Sequence, residues 1–128
     1  MKDKMKEIEN QIELYYLAKN KIESIRQQIA EEKCPLKIGD IIKYKKKDKI
    51  YSGKVDKIFF VVKKMEFLGP LKSNEVGWGV NVNRILKTTG KLSGISHGVN
   101  QFQHFIKDGI WQEEDLTYDE RFERLLDI

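Results

Sequence analysis

Apolar positions in the first 33 residues return at helical spacing, and Gly and Pro are absent from the whole stretch. Met5, Ile8, Ile12, Tyr15, Ile22 and Ile29 carry the pattern. It predicts one helix over 1–33, about 50 Å long at 1.5 Å per residue. In heptad terms Ile8, Tyr15, Ile22 and Ile29 take d, and Met5 and Ile12 take a, but Lys19, Arg26 and Lys33 fill the later a positions. A strict two-stranded coiled coil disfavours so basic a seam. The second half therefore reads as a wider face of Ala18, Ile22, Ile25 and Ile29, packed on something broad. The first half, which includes Leu14, has two readings of equal weight. Either it projects and grips a partner, a second copy being one candidate, through Ile8, Ile12, Tyr15 and Tyr16, or it covers the chain's own sheet.

Cys34–Pro35 ends the helix, because the residue before a proline avoids the α region and proline cannot continue the ladder. The period then changes to two. Leu36–Tyr44 alternates after Gly39–Asp40, Lys45–Lys49 predicts a charged hairpin tip, and Tyr51–Val62 predicts a second strand. Its centre, Ile58 to Val62, is apolar on both faces and needs cover on both sides. Lys63 and Lys64 then discourage edge pairing. Met65–Leu68 extends this strand or opens another, and Gly69–Pro70 marks a turn. Glu75–Leu86 alternates again, with Val76, Trp78, Val80 and Val82 on one side and Gly77, Gly79, Asn81 and Asn83 on the other. Glycine at alternate positions implies a bend or the close approach of another backbone. Thr88–Gly98 reads as a Gly/Ser/Thr-rich connection, and Phe102–Ile106 as a short element of either type. Thr117 with Glu120 fits a capping box ahead of a short helix that buries Phe122, Leu125 and Leu126. The predicted class is α+β: a long N-terminal helix, a small, strongly bent antiparallel sheet or barrel, and a short C-terminal helix.

Composition narrows the classes. At 128 residues, 40% hydrophobic and 34% charged, the chain is wetter than an average domain, yet thirteen aromatic residues remain to build a core. No apolar run approaches the roughly 20 residues that span a bilayer, so a membrane is not an expected partner. The charged start lacks a secretory h-region. One cysteine, Cys34, excludes an internal disulfide framework and a Cys-rich zinc site, and a reducing cytoplasm is the expected location. Charge divides the chain into three: residues 1–33 are neutral, 34–108 carry a net +9, and 109–128 carry a net −5. These are read as an amphipathic helix, a basic β-rich domain and an acidic segment.

Ile38–Gly39–Asp40–Ile41–Ile42–Lys43–Tyr44, followed by Gly53–Lys54–Val55–Asp56–Lys57–Ile58, resembles the opening hairpin of small SH3-like barrels of the KOW and Tudor type. The resemblance covers residues 36–62 and implies a small barrel without naming a ligand. A long helix followed by a Pro-bounded barrel is also similar to small proteins of bacteria and their mobile elements.

The strongest chemical signal is lysine. Lys43, Lys45, Lys46, Lys47, Lys49, Lys54 and Lys57 crowd the predicted hairpin, with Lys63 and Lys64 beyond, and Tyr44, Tyr51, Phe59 and Phe60 lie among them. Such charge density suits phosphate backbones, and Tyr51 or Trp78 offers a stacking surface. A lysine-rich coat that keeps apolar strands in solution explains the same residues. The scarcity of arginine there argues against base reading. Trp78 also reads as a core residue that flanking glycines accommodate. Cys34, His97 and His104 show no catalytic spacing, and no phosphate-cradling glycine loop or metal-ligand motif occurs, so no cofactor, metal or catalytic activity is expected. Two functions follow. One is a non-catalytic module that holds nucleic-acid backbone. The other is an adaptor or inhibitor, from a phage or other mobile element, that acts on a host protein.

Overall fold

The structure is a computed structural model and describes residues 2–63 and 75–114. Helix α1 (Lys2–Lys33) precedes six strands: β1 (Ile41–Lys46), β2 (Lys49–Val62), β3 (Val76–Ile85), β4 (Leu92–Asn100), β5 (His104–Lys107) and β6 (Ile110–Glu113). They form one sheet in the order β4-β3-β2-β1-β6-β5, an α+β arrangement. Neighbours run antiparallel except β1 and β6, which pair parallel through Lys43–Ile110 and Tyr44–Trp111. The predicted elements at Met65–Leu68 and Gly69–Pro70, and the C-terminal helix, lie outside the described residues.

Strand order makes the sheet curl. β4 and β5 stand at opposite ends of that order, yet only residues 101–103 separate them in the chain. Trp78 and Trp111 measure the result. Three strand intervals part them, roughly 14 Å on a flat sheet, but their ring centroids are 5.4 Å apart, edge to face at 83°. The concave side holds the core: Ile42, Tyr44, Val55, Trp78, Val80, Val82, Val99 and Trp111, closed by Ala30 of the helix.

The convex side of β3 shows what alternate glycines are for. A Cβ on Gly79 would collide with the Phe59 ring, and one on Gly77 would collide with Gln101 and Phe102. The close neighbours are therefore side chains laid across the strand, not another backbone, and they cover the strand's second face.

The helix touches the sheet over a short length only. Every residue from Lys2 to Ile25 is exposed, and cover begins at Arg26. Ala18, Ile22 and Ile25 therefore form no broad packing face; Ile29 is half-buried and Ala30 fully buried. Gln27 anchors this end. Its Nε2 donates to the Ile58 carbonyl at 2.8 Å, and its Oε1 accepts the Phe60 N–H at 3.1 Å. β1 pairs with β2 only as far as Lys54, so Gln27 satisfies the stretch of β2 edge that β1 leaves open. Lys33 Nζ donates to the Val76 carbonyl at 2.9 Å.

Two expectations change. Most of the expected connection Thr88–Gly98 is instead strand β4 (Leu92–Asn100), whose His97 and Val99 face the core side opposite Val82 and Val80. The short element near 102–106 is a turn followed by β5. A two-residue turn, Asp108–Gly109, with φ of 54° and 76°, joins β5 to β6. Asp-Gly suits a turn that needs both central residues left-handed, and it brings β6 back beside β1.

Candidate nucleic-acid interface

The β1–β2 hairpin turns through Lys47 and Asp48, with Lys46 opposite Lys49. The tip is thus two residues long, shorter than the five expected. Lys47 holds a left-handed φ of 56° without being glycine, a conformation that costs about 1–2 kcal/mol for an L-residue.

Register sorts the lysines. Ile42 and Tyr44 are buried, so Lys43 and Lys45 between them point outward. Lys54 pairs with Ile41 and shares that outer face. Lys57 is three residues on, and in a regular strand an odd interval would send it to the core side. A bulge between Val55 and Lys57 prevents this: Val55 faces Val82, while Lys57 faces Asn81. The extra residue, Asp56, shifts the phase. Lys43, Lys45, Lys54 and Lys57 therefore share one exposed face, while Val55 and Ile58 both remain inside. Lys46, Lys47 and Lys49 add exposed charge at the tip. Like charges directly opposite one another, as at Lys46–Lys49, disfavour strand pairing.

The expected aromatic platforms are elsewhere. Trp78 is buried, 5% exposed, against Trp111, so no base reaches it. Tyr51 is half-buried on the concave side and belongs to a cluster absent from the sequence reading. The Arg84 guanidinium lies 4.5 Å from its ring centroid, with Tyr44 at 5.8 Å and His97 at 6.0 Å. Gly53 makes the space, since a Cβ there would meet Tyr44 and Val82. The Tyr44 hydroxyl and His97 Nδ1 are 2.7 Å apart. Burial raises the Tyr44 pKa. Burial also lowers that of His97, and the positive charges of Lys46 and Arg84 add to this. Both shifts favour the neutral forms of the two groups.

No protein-family model, curated protein or solved structure matches this chain.

The remaining candidates are dispersed. Cys34 is half-buried, and burial raises its pKa, the opposite of what an activated thiol needs. His104 Nδ1 accepts the Asn100 N–H at 3.1 Å, a turn-closing bond. Among the described residues no group of acidic, His and Cys side chains has metal-holding geometry, and no helix is long and apolar enough to cross a membrane. Ile8, Ile12, Tyr15 and Tyr16 stand on the free part of α1, each at least half exposed. Arg84 went unnoticed and His97 was read only as a loop histidine, because only register brings them to Tyr51. The Asp108–Gly109 signal was readable from the sequence.

Proposed function

We propose that the outer face of the β1–β2 hairpin binds the phosphate backbone of nucleic acid with little sequence preference, as a non-catalytic module. The supporting observation is the bulge at Asp56, which gathers Lys54 and Lys57 onto the same exposed face as Lys43 and Lys45. Residues two apart on a strand are about 6.6 Å apart. That is close to two of the 3.4 Å axial steps between charges on one DNA strand. The buried Trp78 and the engaged Tyr51 leave charge as the main source of affinity. The curled sheet accords with the SH3-like barrel that the opening hairpin resembles.

Salt titration of fluorescence anisotropy tests this. Four neutralised phosphates give a slope of log K against log salt of about −3.6 on duplex and −2.8 on single strands. Replacing Lys43, Lys45, Lys54 and Lys57 with Glu abolishes binding to DNA and RNA alike, and the melting temperature stays near that of the parent. Absence of binding at low salt rejects the proposal.

A protein-binding role draws on a different observation. Phe105 and Ile106, on the edge strand β5, are 43% and 58% exposed, and an exposed edge accepts a further strand. Silent nucleic-acid probes together with stable capture of one protein select that reading.

A further inference from the structure

The exposed part of α1 has no partner within the described residues, and its seam pattern indicates what covers it. Lys2 to Ile25 amount to about 36 Å of free helix, with Met5, Ile8, Ile12, Tyr15 and Ile22 between 49 and 62% exposed along one stripe. Most helical stability in proteins comes from packing of an amphipathic face rather than from propensity. We infer that two copies of this chain pair antiparallel through residues 2–25, with Lys2 of one copy beside Ile25 of the other.

Length, seam and charge converge on this arrangement. Its overlap spans the exposed stretch, so the seam closes where each helix reaches its own sheet at Arg26. The seam layers become Met5–Ile22, Ile8–Lys19 and Ile12–Tyr15, each occurring twice by symmetry. Lys19, the residue that spoils a parallel seam by facing its own copy, instead lays its stem along Ile8 and carries its ammonium to the rim. Sliding the pair one heptad toward the N-termini would face Met5 with Tyr15 and Ile8 with Ile12, but would leave Ile22 without a partner layer and set Glu9 against Glu9. In the inferred register the flanking positions place Lys2 beside Glu23 and Glu9 beside Tyr16, and such flanking charges set orientation in coiled coils. Sliding the other way needs Ile29, which is already half-buried in its own chain, and sets Ile8 against Arg26.

Cysteine cross-linking in a Cys34→Ser background tests the orientation. Met5→Cys combined with Ile22→Cys gives a covalent dimer in most chains under mild oxidation. Within one helix these positions are about 26 Å apart, so the bond must join two copies. Met5→Cys alone gives none, because the two copies of position 5 lie about 26 Å apart. Sedimentation of the natural chain shows a dimer. Ile8→Asp with Ile12→Asp halves the mass and leaves the near-ultraviolet signal of the Trp78–Trp111 pair unchanged. Cross-linking of Met5→Cys alone indicates parallel helices and overturns the inference. So does a monomer at all concentrations, an assembly larger than two, or a mass insensitive to the double Asp variant.

Discussion

Two apolar patterns in this chain have opposite fates. The stripe on α1 from Met5 to Ile22 is left in solvent, while the alternating residues of β3 from Val76 to Val82 are almost wholly enclosed. Hydrophobicity does not separate them. Reach does. β3 is flanked by β2 and β4, and the curl brings β6 over it, so partners arrive from within the chain. The helix leaves the sheet at Arg26 and then runs for about 36 Å beyond any of the described strands. A periodic apolar face states that something must cover it; only topology states whether that cover is internal.

The sharpest break of this contrast is Trp111→Ala. Removing a core tryptophan costs about 3–5 kcal/mol, read as an earlier midpoint in urea unfolding. Ile12→Ala on the arm leaves the sheet's own midpoint in place. Equal losses at the two positions would mean that the arm and sheet form one cooperative core.

Gln27→Ala acts at the border between the regions. It strips the partners from the Ile58 carbonyl and the Phe60 N–H, and an unsatisfied buried group costs about 1–3 kcal/mol. Amide exchange at Phe60 accelerates with the loss, while amides in β6 keep pace with global unfolding. Unchanged exchange at Phe60 would show that the helix is docked by Ala30 and Lys33 alone.

The smallest effect is that of pH. Burial is the main cause of a lowered pKa at both His97 and His104, and positive neighbours add to it at His97. The folded chain therefore binds fewer protons than the unfolded one. The resulting stabilisation is complete above the ordinary imidazole value of 6.5 and is lost as pH falls through the lower folded values. Urea midpoints should drop as pH falls below about 6.5, and His97→Gln should flatten part of that slope. A slope unchanged in His97→Gln would place the titration at other groups.

The parts of the fold legible in the sequence are those set by local rules. Cys34–Pro35 stops the helix, Lys46 to Lys49 closes a hairpin, and Trp78, Val80 and Val82 face inward as their alternation requires. What escaped depends on distant chain. Nothing in Val55–Asp56–Lys57 announces a bulge, because it is the pairing of β3 that sets the phase on either side. Strand β4 was hidden by Ser93, Gly94, Ser96 and Gly98, residues of poor strand propensity that an edge beside β3 nonetheless tolerates. The parallel contact of β1 with β6 joins segments some 67 positions apart, as Lys43 and Ile110 show, and no local pattern encodes it. The lysine cluster was visible as composition, but its single shared face was not.

Gln27 has a consequence beyond anchoring. Ile58–Phe59–Phe60–Val61–Val62 combines branched and aromatic residues with no charge and no proline, the composition of a segment that stacks into cross-β fibrils. One amide side chain occupies the backbone groups that such stacking would recruit. Detachment of the helix end would uncover a template for fibre growth, so the junction at Gln27 also guards the chain against aggregation.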